Sequence, residues 1–208
     1  MEEVLDLYTQ PYDAATPLLC MDETSKQLVG ETRRRVAARP GALARYDYEY
    51  ERHGTCNLFM VYEPLRGRRQ VTVTNRRTKG DWAHLVKDIV DRQYPHATRI
   101  QVVMDNLNTH TPASLYETFE PVEARRLLSR LAFHYTPKHG SWLNMAEIEL
   151  SVLRRQCLDR RIPTAAGLAR EVTAWEQPRN TRSMPVDWRF TTTNARIKLK
   201  RLYPSTQN

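Results

Sequence analysis

The stretch from Arg99 to Asn108, RIQVVMDNLN, limits what this chain can fold into more than any other. Ile100, Val102, Val103 and Met104 make a short, nearly unbroken apolar run rich in β-branched side chains, which suits a strand buried on both faces of a sheet. Asp105 ends the run and the turn-formers Asn106 and Asn108 follow, so its carboxylate is held at the sheet's edge within reach of solvent or metal. A lone strand-end Asp more often just caps a turn, but this one has a counterpart. Pro17 to Glu23, PLLCMDE, repeats the design: Leu18, Leu19, Cys20 and Met21 run apolar and end on Asp22.

Other segments supply a sheet around these strands. Thr55 to Glu63, TCNLFMVYE, and Gln70 to Asn75, QVTVTN, are β-rich runs whose connection, Pro64 to Arg69, carries Pro and Gly; they predict an antiparallel hairpin. Thr78 to Tyr94 has helical spacing, with Trp82, Leu85, Val86, Ile89 and Val90 along one face, and Pro95 ends it. A helix crossing over before the Asp105 strand makes that strand parallel to a neighbour, with a right-handed connection. Beyond Asp105, Pro112 to Leu128 is helical and divided by Pro121, and Leu131 to Tyr135 is a further short strand. A helix over about 142–158 has an apolar stripe of Ala146, Leu150, Leu153 and Cys157. Thr164 is placed to cap another helix running through Trp175, and the basic tail ends in a short helix before Pro204. Residues 1–16 are expected to be a lead-in segment that either docks on the domain or frays, and residues 23–54 an insertion or long connection. In the latter, Arg33-Arg34-Arg35 either touches phosphates or lies solvated, the second being the commoner fate of short Arg runs.

A chain of 208 residues suits one substantial domain. Lys and Arg outnumber Asp and Glu by 32 to 24, a formal charge of +8, which favours nucleic acid over acidic substrates as a partner. No apolar run approaches the length needed to span a bilayer, and the acidic start MEEVLDLY lacks the regions of a secretion signal, so a cytosolic protein with no membrane partner is expected. Cys20, Cys56 and Cys157 are widely separated and lack zinc-site spacing; they are expected to stay reduced and structural.

If the strands at 17–22 and 99–104 lie side by side, their terminal acids stand about 5 Å apart in backbone terms. Two ionised carboxylates that close repel, so one takes up a proton or a cation sits between them, and oxygen-only ligands select a hard ion such as Mg²⁺ or Mn²⁺. Two such ions serve in-line attack on a phosphodiester, one activating water or a 3′-hydroxyl and the other stabilising the leaving oxygen. That chemistry usually needs a third acid. Glu147 and Glu149 flank the apolar stripe of the 142–158 helix on opposite sides, and helical geometry does not choose between them.

The set CMDE at 20–23, VMDNLNTH at 103–110 and HYTPKHGSWLNMAEIE at 134–149 resembles the catalytic domain of mariner-superfamily transposases, specifically their bacterial insertion-sequence relatives. The resemblance runs from about residue 16 to Pro204. It implies an α/β, RNase H-like fold with a mixed five-stranded sheet flanked by helices, in which residues 17–204 form the catalytic domain. It also implies an Asp, Asp, Glu triad that falls on Asp22, Asp105 and Glu147, the last because LNMAE matches the family's Leu-Asn-Pro run before its third acid. Met145 replaces the usual Pro, and the spacing from Asp105 to Glu147 is longer than in the best-known mariner enzymes.

With that resemblance, Asn108, His110, Lys138, His139, Arg154 and Arg155 become candidates for DNA contact. Asn106, Asn108 and His110 can instead orient the Asp105 carboxylate or simply serve the turn. Arg154 and Arg155 can instead complement the helix dipole, and Trp142 reads as a packing residue. The implied partners are transposon-end and target DNA, bound as a homodimer, and the implied setting is the bacterial cytosol at the nucleoid. Family members also carry an amino-terminal helix-turn-helix region, for which this chain has no room before its first catalytic strand. The expectation is therefore a catalytic half that binds DNA mostly through phosphates, with the helix-turn-helix in a separate subunit or reading frame. The alternatives are a non-catalytic, adapted DNA-binding remnant and a stand-alone RNase H-like nuclease.

Overall fold

A computed structural model of the chain describes residues 1–33, 36–45, 48–106, 110–138 and 140–203. In chain order its elements are α1 (Glu2–Tyr8), β1 (Leu18–Glu31), β2 (Tyr50–Glu63), β3 (Arg68–Thr74), α2 (Lys79–Asp88), β4 (Ile100–Met104), α3 (Pro112–Thr118), α4 (Pro121–Ser129), β5 (Leu131–Tyr135), α5 (Met145–Leu153), α6 (Ala165–Arg182) and α7 (Thr192–Lys198). The strands form one sheet in the order β3-β2-β1-β4-β5. β1–β2 and β2–β3 pair antiparallel, while β1–β4 and β4–β5 pair parallel. This is the mixed five-stranded sheet flanked by helices that the sequence predicts.

Alternation along the strands builds two apolar layers. Leu18, Cys20, Leu58, Met60, Tyr62 and Val103 face one way, onto buried residues of α1, α5 and α6. Leu19, Met21, Phe59, Val61, Val102 and Met104 face the other way, onto α2, α3 and α4. A sheet covered on both faces needs apolar residues at every position of its central strands, which explains the unbroken runs before Asp22 and Asp105. α2 begins where Thr78 and Asp81 make a reciprocal capping box, and α3 and α4 each open on a proline in the first turn, where the missing N–H is harmless.

The structure departs from the sequence reading in two places and decides it in a third. Residues 23–54 are not chiefly a loose connection: β1 continues to Glu31 and β2 starts at Tyr50, and the two stay paired up to Glu31–Tyr50 after a register shift between Gln27 and Val29. Tyr50–Thr55 is exposed along its whole length, so this ribbon carries no apolar alternation that would mark it as a strand. Of the two fates open to the lead-in segment, docking or fraying, the structure shows docking: it forms α1, burying Val4, Leu5, Leu7 and Tyr8 and tying Glu2 to Arg196 of α7. Finally, α6 passes through Pro178 and ends only at Ser183, in the left-handed region. Its added turns are held by β3, where Asn180 brackets the Arg69 backbone, accepting from its N–H and donating to its C=O, and Glu176 accepts from the Val71 N–H. Those contacts cover an outer strand edge that would otherwise stay unpaired.

Candidate active site

β1 and β4 run parallel with Leu18, Leu19 and Cys20 opposite Gln101, Val102 and Val103. Two residues beyond the Cys20–Val103 pair, the chain reaches Asp22 on one side and Asp105 on the other. Asp22, still within β1, and Asp105, just past the end of β4, therefore stand side by side where the parallel pairing stops. Alternation puts both toward α5, since Cys20 and Val103 lie in that layer. The Glu23 N–H donates to Asp22 Oδ1 at 2.8 Å and fixes that carboxylate.

The third acid comes from α5. Asn144 is the N-cap of this helix: its Oδ1 accepts from the Ala146 N–H, and its Nδ2 donates to the Met21 carbonyl at 2.8 Å, one residue before Asp22. This buried amide ties the start of α5 to β1 beside Asp22, and Glu147 sits in the first helical turn beyond it. Asp22, Asp105 and Glu147 line one open cleft of about 700 Å³, together with Thr136, Ser141 and Arg154. Burial, with smaller contributions from the charges of Glu23, Asp105 and Glu147, pushes the Asp22 carboxyl up to about 7. Glu149 plays a different part. It is buried against Arg69 at 3.0 Å and lies within 3.4 Å of Arg179, locking α5 to β3 and α6.

Behind Asp105, on the α2 side of the sheet, sits His110. It is only 3% exposed and its ring stacks on Trp82 with centroids 5.7 Å apart. Its Nε2 is 3.1 Å from Glu23 Oε2 and its Nδ1 is 3.5 Å from Asp105 Oδ1. These are close contacts rather than aligned hydrogen bonds, and among the described residues all four atoms are without a hydrogen-bond partner. His110 is thus turned into the protein and away from any DNA on the surface. Lys138, Arg154 and Arg155 are exposed, and of these Arg154 lines the cleft. Asn108 and His139 lie outside the described residues. Trp142 packs edge-on against Phe190 as the packing reading requires.

Three residues that the sequence reading passed over also shape the site. Asn144 carried a signal, an Asn directly before a helical run, which is the usual N-cap position. Glu23 carried only its adjacency to Asp22. Lys26 carried none: its ammonium lines the cleft and donates to the carbonyls of Leu158 and Arg160, which only the fold brings near.

The metal that the three acids imply was tested against this geometry. Its donors are all carboxylate oxygens, as a hard divalent ion requires, and Asp105 Oδ1 is buried with no hydrogen-bond partner among the described residues. Among the described residues no three His, Cys, Asp or Glu side chains are already gathered closely enough to hold an ion. Mutual repulsion opposes such closure in the absence of a cation, so the residues fit the group as an open set. Among the described residues no helix is long and apolar enough to cross a membrane.

Comparison with known proteins follows the same line. No curated protein matches the chain. Among solved structures, the Mos1 mariner paired end complex with Mn superposes with a TM-score of 0.59 at 14% identity, covering 88% of this chain and 55% of that one. This chain thus spans about half the length of that protein, and the likeness establishes the RNase H-like fold of the sheet and its helices. The Mos1 paired end complex with Mg (14% identity, TM-score 0.37, 89% of this chain and 61% of that one) and the catalytic core domain of BIV integrase (14%, 0.39, 76% and 82%) superpose less well. The model of one family, described as DDE superfamily endonuclease, matches residues 17–169, well over half of the sequence. By that match, the chain belongs to the DDE superfamily endonuclease family.

Proposed function

We propose that this chain is the catalytic domain of a transposase, cutting DNA at the ends of a mobile element and joining the freed 3′ end to target DNA. One observation carries this reading: the cleft shared by Asp22, Asp105 and Glu147, three acids distant in sequence. They would hold Mg²⁺ or Mn²⁺, the metals named for the Mos1 complexes, and a pair of such ions supplies activation of water or a 3′-hydroxyl and stabilisation of the leaving oxygen.

The chain's own residues do the rest. The Glu23 N–H orients Asp22, and the Asn144 amide sets the distance between β1 and the turn carrying Glu147. Arg154 on the cleft wall and Lys138 on the loop leading to it bind backbone phosphates, which orient a duplex without reading its sequence. The net charge of +8 raises the local concentration of DNA. Paired element ends, held by two copies of the chain in the bacterial cytoplasm, are the assembly we assign to it, with sequence reading left to a helix-turn-helix module of the kind the resemblance implies.

The test is nicking of supercoiled DNA in Mg²⁺ by the purified chain and its Asp105→Asn variant. A variant that nicks as fast as the parent overturns the assignment. Faster cutting of RNA–DNA hybrids than of element-end DNA would instead identify a stand-alone RNase H-like nuclease. One observation favours a further reading, a DNA-binding remnant without catalysis: the acids are not yet gathered around an ion position. Calorimetry with Mn²⁺ separates the two, because a remnant gives no binding heat that depends on Asp105.

A further inference from the structure

We propose that His110 is a positioning residue for Asp105, acting from behind the site through a buried chain that runs Glu23, His110, Asp105. The inference rests on reading Asp105 as a metal-holding acid, and it adds the element that aims this carboxylate. Asp105 follows the last residue of β4, Met104, so no strand pairing fixes it. One of its oxygens reaches solvent while Oδ1 is turned inward, 3.5 Å from His110 Nδ1. The ring cannot swing away, because it is stacked on the buried Trp82. Its far nitrogen, Nε2, faces Glu23 Oε2 at 3.1 Å, and Glu23 also has Arg77 Nη1 at 3.4 Å from Oε1.

Alternation along β1 explains why Glu23 stands here. Asp22 faces α5 and the cleft, so its neighbour Glu23 faces α2, on the opposite side of the sheet. One dipeptide thus serves both faces, the Asp toward the substrate side and the Glu as the anchor for the imidazole. Among the described residues, Glu23 Oε1 and Oε2, His110 Nδ1 and Nε2 and Asp105 Oδ1 are all buried without an aligned hydrogen bond. Folding alone gives no reason to keep so many poorly aligned polar atoms together, and unsatisfied buried groups concentrate where a function needs them. An imidazole that faces the inner oxygen of Asp105 leaves the outer oxygen free for an ion, and partners of this kind orient metal ligands in other proteins.

The experiment is calorimetric titration of the folded chain with Mn²⁺, alongside thermal melts without metal. The parent is compared with Asp105→Asn, His110→Ala, His110→Gln, Glu23→Gln and the His110→Ala/Glu23→Gln double variant. His110→Ala is expected to weaken Mn²⁺ binding about 10- to 100-fold, the usual effect of losing such a partner. His110→Gln, whose amide can still donate, should recover part of that loss. The double variant should bind no more weakly than His110→Ala alone, since Glu23 acts through the ring. A residue with a structural role only would lower the melting temperature and leave Mn²⁺ affinity at the parent's value, which overturns the proposal. If His110→Ala does not fold, His110→Gln and Glu23→Gln decide the matter: parental affinity in both overturns it. Should Asp105→Asn bind Mn²⁺ as the parent does, it is the metal reading of Asp105 that fails, and the positioning role falls with it.

Discussion

Replacing Asp22 with Asn should make the metal-free protein more stable, and only at higher pH. Burial, reinforced by the charges of Glu23, Asp105 and Glu147, moves this carboxyl from its ordinary value of 3.8 to about 7. The folded chain thus keeps its Asp22 proton over a range in which the unfolded chain has lost it, so stability falls as pH rises from about 4 to about 7. Above that range the ionised side chain costs the folded state about 4 kcal/mol at most. Asn has the same shape, carries no charge and keeps an Oδ1 for the Glu23 N–H, so it escapes the penalty. For a domain of this size the gain corresponds to a melting temperature about 10 °C higher near pH 8, fading toward zero near pH 4. Thermal unfolding in a chelating buffer at several pH values measures this directly. An Asn variant that melts no higher than the parent near pH 8, or one whose advantage is equal near pH 4, would refute the claim that like-charged, buried acids are held together here. A gain in stability accompanied by lost activity is the pattern of a functional site.

Two further outcomes follow from the same geometry. Arg69→Met leaves Glu149 buried with only the longer contact to Arg179, and should destabilise the chain by about 3 kcal/mol in urea unfolding without changing Mn²⁺ affinity. Arg154→Ala and Lys138→Ala should each weaken binding to duplexes of unrelated sequence alike, and each should lower the slope of log affinity against log salt by about one.

The sequence made the centre of the fold legible and left its margins obscure, for a physical reason. Strands buried on both faces must be apolar throughout, so the runs before Asp22 and Asp105 stood out, and the crossover helix between them implied parallel pairing. The start of β2 pairs with the end of β1 but is exposed from Tyr50 to Thr55, so those residues carry no apolar alternation. Helical spacing could not choose between Glu147 and Glu149, because the choice depends on Arg69 and Arg179, which reach Glu149 only through tertiary structure. The continuation of α6 through Pro178 was hidden for the same reason, and the choice between docking and fraying for α1 stayed open: the contacts to β3 and α7 that settle them are remote in sequence. His110 was legible as a partner for Asp105, while its burial on Trp82 was not.

Under the proposed assignment Glu147, not Glu149, completes the acidic set with Asp22 and Asp105, and single-turnover nicking of DNA in Mg²⁺ distinguishes the two glutamates. Glu147→Gln should abolish cutting while leaving the melting temperature near the parent's, and Glu149→Gln, assayed where it remains folded, should cut at close to the parental rate. Loss of cutting confined to Glu149→Gln, or full activity in Glu147→Gln, would contradict the account.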